Sequence, residues 1–140
     1  MTVHRSQHAQ KGPDTMATVA ATERNKHTID RLFQAFRTGD TSAFDALIAD
    51  DYAQHNPQAA NGLAAVKDFF SQLGPVEVDV HRVIAEGDLA AVHAHYKTLG
   101  MAAVDIYRFN AEGKIIEHWD VLQQVPQTTV SGNDMFSQLT

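Results

Sequence analysis

The chain has 140 residues, 44% of them hydrophobic, no cysteine and a formal charge of −6 at pH 7. That length supports one ordinary domain with a single core, and the composition excludes wholesale disorder. No apolar run approaches the roughly 20 residues of a membrane helix, and no basic cluster marks a nucleic-acid partner. Without cysteine there are no disulfides or thiolate sites, and no apolar signal core follows the N-terminal charges. The expectation is a cytoplasmic protein with neither nucleic acid nor membrane as partner.

Residues 1–18 carry no apolar period and read as a flexible tail ahead of a domain over 19–126. Ile29, Leu32, Phe33 and Phe36 then recur at helical spacing, and Gly39 supplies a stop. Ser42 with Asp45 resembles a capping box, opening a short helix with Phe44, Leu47 and Ile48 inward. The stretch DYAQHNP, Asp51 to Pro57, reads as a break with an Asn-Pro turn. Asn61 is placed to cap a third helix striped by Leu63, Val66, Phe69, Phe70 and Leu73 and closed by Gly74-Pro75.

After Pro75 the period becomes alternating. Four strands are expected over about 76–86, 89–98, 102–110 and 114–124, with turns at Gly87-Asp88, Leu99-Gly100 and Glu112-Gly113. The tail 127–140 is polar apart from Val130, Met135, Phe136 and Leu139, and reads as loose or as an arm on a neighbouring surface. Helices first and hairpins after give an α+β class, N-terminal helices on an antiparallel sheet.

Eight histidines are the compositional oddity, and VHAHY puts two of them, His93 and His95, on one face of a strand. A turn centred on Leu99-Gly100-Met101 sets His95 opposite Asp105 and His93 opposite Tyr107. A short loop within Asn110–Gly113 then sets Asp105 opposite His118 and Ala103 opposite Asp120. The expected result is one face with His95, Asp105 and His118 in a row, close enough at Cβ for hydrogen bonds. The other face would carry Val92, Ala94, Tyr96, Val104, Ile106, Trp119 and Val121. Two arrangements fit this pattern. Either the helices cover the apolar face and the His/Asp face is wet, or they arch over the His/Asp face as a pocket floor while the apolar face meets a second subunit.

DYAQHNP, the NG that opens a helix, and VDIYRFNAEGKIIEHWDVLQQ together resemble the SnoaL-like polyketide cyclase family of the nuclear transport factor 2-like superfamily, over roughly residues 20–125. The resemblance implies a cone in which helices and a curved antiparallel sheet enclose a pocket, with a homodimer through the outer sheet face. It also implies an intramolecular aldol condensation, a lyase or isomerase type of chemistry, without metal or cofactor, and assigns the acid/base to Asp105. A cousin, limonene epoxide hydrolase, carries Arg-x-Asp where this chain has His93-Ala94-His95, and a further aspartate at the place of Asp120. Since His93 and His95 replace both members of that pair, its triad is not intact here.

The chemistry expected is proton removal next to a carbonyl of a small molecule. Asp105 serves as base, with His95 and His118 bonding the carboxylate or the developing oxyanion. His93, Asp120, His55, Tyr107 and Tyr52 are expected to orient the substrate. Trp119 and Tyr96 are assigned outward, to core or dimer contacts. Two alternatives stand beside this. One is a metal triad, since two histidines and a carboxylate are also the composition of a metal site. The other is a non-catalytic binder of a small hydrophobic ligand.

Overall fold

The computed structural model describes residues 15–137. The expected N-terminal tail up to residue 14, and Leu139, lie outside them. Helix α1 (Met16–Thr38) opens on Thr15, whose side chain accepts from the Thr18 amide, and closes at Gly39 in the left-handed region. Residues 16–18, expected in the tail, are therefore helical. Asp40, not Ser42, caps the next 3-10 turn, Thr41–Ala43, which runs into the four-residue helix α2 (Phe44–Leu47).

A strand follows where a break was expected: β1 (Ile48–Gln54). Helix α3 (Leu63–Leu73) begins after Gly62 with no side-chain cap. Asn61 Oδ1 instead accepts from the Gln54 amide at 2.8 Å, fastening the loop to the end of β1. Strands β2 (Val78–Glu86), β3 (Leu89–Tyr96), β4 (Met101–Phe109) and β5 (Ile115–Gln124) complete one sheet, ordered β1-β5-β4-β3-β2. The sheet has five strands and is mixed, because β1 runs parallel to β5. No helix among the described residues is long and apolar enough to cross a membrane.

The core lies between the three helices and one sheet face. Ile29, Leu32, Phe33 and Phe36 of α1 are all buried, as their spacing predicts. Phe36 stacks on Phe70 of α3 at 4.4 Å, and Phe44 meets both edge-on. Opposite them, Val92, Ala94 and Tyr96 are buried on the sheet. Aromatic pairs of this geometry add about 0.5–1.5 kcal/mol each beyond burial.

The β3–β4 register differs from expectation. Tyr96 is the last strand residue, Lys97–Leu99 forms a 3-10 turn, Gly100 is left-handed, and Met101 already pairs with Tyr96. The Glu77 carbonyl accepts from both the Lys97 and Thr98 amides, and Thr98 Oγ1 accepts from the Glu77 amide at 2.7 Å. The loop is thus 97–100 and its centre moves toward β3. His95 lies opposite Ala102 and His93 opposite Val104, while Val92 lies opposite Asp105. An odd shift in register exchanges faces.

Across β4 and β5, Asp105 pairs with Asp120 and Tyr107 with His118. This shift is even, so both stay on the expected face. The turn is gripped by α1: Arg24 Nη1 donates to Ala111 O at 2.8 Å and Thr28 Oγ1 to Gly113 O at 3.1 Å. Asn110 Oδ1 accepts from the Glu112 and Lys114 amides. Gly113 has φ +83°, and a Cβ there would stand 2.8 Å from Arg24 Nε. Gly113→Ala should therefore cost ~1–3 kcal/mol through left-handed strain and the displaced arginine. Urea unfolding checks it, and an unchanged midpoint would show that this turn tolerates a side chain.

Candidate active site

Asp105 and His118 meet on the inner face, but two of the expected partners stand on the other side. His118 Nε2 lies 2.9 Å from Asp105 Oδ1, and the Tyr96 hydroxyl donates to Asp105 Oδ2 at 2.6 Å. Asp105 is 3% exposed and His118 9%. His93 and His95 lie on the outer face, moved there by the odd shift in register at the 97–100 turn. Tyr96, expected outside, is inside and bonded to the central carboxylate.

β1 supplies what the sequence reading underweighted. Gln54 pairs with His118 across the parallel ladder. Its Oε1 accepts from the Asn56 amide at 3.0 Å and faces His118 Nδ1 at 2.7 Å. Its Nε2 donates to the Tyr52 hydroxyl at 2.9 Å. The Asn56 amide can only donate, so the oxygen of Gln54 is fixed toward His118, and Nδ1 must carry a hydrogen. Two residues on, Asn56 Nδ2 donates to both oxygens of Asp120, at 3.0 and 2.9 Å. Asp120 Oδ2 stands 3.9 Å from His118 Nε2.

Among the remaining predicted residues, Tyr52 and Tyr107 are buried on the inner side. The Tyr107 ring lies 4.8 Å from that of His118. Burial above all, with the Asp105 carboxylate next, pushes the Tyr96 and Tyr107 hydroxyls well above the ordinary tyrosine value. Burial does the same to Tyr52, against the Gln54 hydrogen bond. All three stay neutral and able to donate. His55 does not join the cluster. It stacks on Trp119 at 5.1 Å and bonds Glu117 at 2.8 Å, on the outer side.

Val92, Ala94 and Ala103 wall the cluster, each 2% exposed or less. Two surface hollows lie elsewhere: one of about 370 Å³ beside Arg31 and Gln34, the other of about 380 Å³ along residues 125–135. Chemically, the cluster offers a buried carboxylate and imidazole in direct contact, a second carboxylate beside them and neutral phenols around. It suits proton transfer, and Asp105, His118 and Asp120 each present a ligand atom within 4.8 Å of the others, which also suits a cation.

Solved structures share this fold. An NTF-2 like protein of unknown function from Burkholderia xenovorans is 18% identical, with a TM-score of 0.69 over 84% of this chain and 97% of that one. A putative SnoaL-like polyketide cyclase from Jannaschia is 20% identical, with a TM-score of 0.60 over 79% and 91%. An LEH-like epoxide hydrolase of M. tuberculosis is 16% identical, at 0.60 over 73% and 84%. No curated protein matches the sequence. The SnoaL-like domain model matches residues 29–118, from the core stripe of α1 to the central histidine of the cluster. The chain belongs to the SnoaL-like domain family, with the nuclear transport factor 2-like fold.

Proposed function

We propose that the chain is an acid–base enzyme that needs no cofactor and acts on a small, partly apolar carbonyl compound by aldol-type condensation, cyclisation or isomerisation. The observation that carries this reading is the Asp105–His118 contact with its tautomer set by Gln54. With Nδ1–H fixed, a single proton lies between Nε2 and Oδ1. The pair is either carboxylate and imidazolium or carboxylic acid and imidazole. Asp105 as carboxylate takes a proton from the carbon beside the carbonyl. The Nε2–H of His118 and the phenol of Tyr107 stabilise the enolate oxygen. Asp120, held by Asn56, orients the substrate at the rim.

Substrate admission then requires the exposed loop 55–62 to lift, breaking the Asn56–Asp120 bonds. His93, His95 and His55 have no part in this reaction, because all three sit on the outer side. The same reading takes the chain as a homodimer through the outer sheet face, where Val104, Val121 and Ile84 are exposed.

A second reading rests on the three ligand atoms of Asp105, His118 and Asp120. Each ligand is already held from behind, by Tyr96, Gln54 and Asn56, as supporting groups hold metal ligands. Fully ionised, the trio carries one net negative charge in a buried place. A divalent cation replacing the shared proton would leave it neutral.

Asp105→Asn keeps the shape, accepts from Tyr96 and donates to His118, so the fold should survive while turnover falls ~10²–10⁴-fold. Assaying aldol and isomerisation turnover on a panel of carbonyl compounds reads this out; equal rates would leave a binding protein. For the second reading, protein equilibrated with zinc or manganese should hold one ion per chain, and His118→Ala should lose it. Full turnover of chelator-treated protein would retire that reading. Light scattering should give twice the 15.4 kDa chain mass for the wild type and one chain for Val121→Glu; a monomeric wild type would remove the dimer.

A further inference from the structure

The segment 125–137 leaves β5 and crosses the outer face to β2, ending in a ring packed among histidines. The Val125 amide donates to Gly100 O at 3.0 Å, and Thr129 Oγ1 to Asn133 O at 2.6 Å. The Asp134 carboxylate then accepts from the amides of Phe136 and Ser137 and from the Ser137 hydroxyl, at 2.7, 2.6 and 2.8 Å. This turn presents the Phe136 ring, which stacks on His95 at 4.4 Å and on His81 at 4.8 Å, with His93 at 5.5 Å. Its carbonyl accepts from Arg82 Nη2 at 2.9 Å. Phe136 is 7% exposed, on a face where Val121 is 74% exposed.

The other arm of Arg82 reaches His93 Nδ1. A guanidinium only donates, so Nδ1 must offer a lone pair and the ring must be neutral at that atom. Burial first, then the positive charge of Arg82 and His81, holds His93 below the ordinary histidine value, against the Met135 carbonyl, which favours the charged ring. The charged and titratable groups around the patch are Arg82, His81 and Asp79 on β2, His95 on β3 and Asp134 on the arm. Asp79 is already bonded by Lys97 at 2.9 Å. Asp134 is held at about 2 by the hydrogen bonds it accepts, so it stays ionised under mild acid.

We propose that residues 125–137 form a pH-released latch, docked on the outer sheet face while His93 is neutral and detached when His93 takes a proton. Protonation removes the acceptor that Arg82 uses and sets a second cation against it. Docking favours the neutral ring, so it is strongest above the ordinary histidine value of about 6.5 and is lost as pH falls below that value. Release uncovers the Phe136 seat on His81 and His95, beside the exposed Val104.

The test is the {1H}-15N heteronuclear NOE of the Phe136 and Ser137 amides in the full chain, at roughly pH 7.5 and 5.5. At the higher pH they should be as ordered as β4. At the lower pH they should move as a free tail while β4 is unchanged. His93→Asn offers Arg82 an oxygen that does not titrate, and should keep the arm ordered at both pH values. Phe136→Ala should free it at both, which shows what release looks like in the same spectrum. An equally ordered arm in the wild type at the lower pH would overturn the latch, as would His93→Asn releasing like the wild type.

Discussion

Glu77 holds the turn after β3 by three backbone-level hydrogen bonds, and that grip decides what the inner face contains. It accepts from Lys97 and Thr98 and donates to the Thr98 hydroxyl. The turn is thereby fixed at residues 97–100, and Tyr96 is the last inward residue of β3. With one residue more or less, Tyr96 would leave Asp105 and an imidazole would replace it. The cluster is then a consequence of loop length as much as of the residues that form it.

Once placed, the cluster has to be satisfied inside an apolar wall. A buried carboxylate left unpaired would be costly, so every heteroatom that matters is bonded. Asp105 has Tyr96 and His118, His118 has Gln54 on its other nitrogen, and both oxygens of Asp120 accept from Asn56 Nδ2. The order of these bonds runs from backbone to central carboxylate. The Asn56 amide orients Gln54, Gln54 sets the tautomer of His118, and His118 sets where the shared proton lies. Precision at the carboxylate is therefore supplied by β1, an element with no charged member facing the cluster.

Much of this was legible in the residues. The helical stripe of α1, that of α3 apart from the exposed Phe69, the four later strands and the meeting of Asp105 with His118 follow from periodicity and turn residues. The placement of His93 and His95 does not, because Lys97, Thr98 and Leu99 carry no sign that they form a 3-10 turn. β1 was hidden by Asn-Pro, which reads as a break. Yet Tyr52, Gln54 and Asn56 alternate, and that spacing of two was the available signal that they share a face. The parallel partnership with β5 leaves no local trace, since it depends on residues more than sixty positions away.

That partnership has a consequence for the order in which the protein is made. Among the described residues β1 has its sheet neighbour in β5 and no other strand beside it. During synthesis, residues 48–54 emerge long before 115–124, so this edge must wait, unpaired, until β5 has left the ribosome. Closing so long a loop comes late and is entropically slow. The nascent chain has its aromatic nest early and half of its polar cluster last, so a product truncated before residue 115 would lack His118 and Asp120.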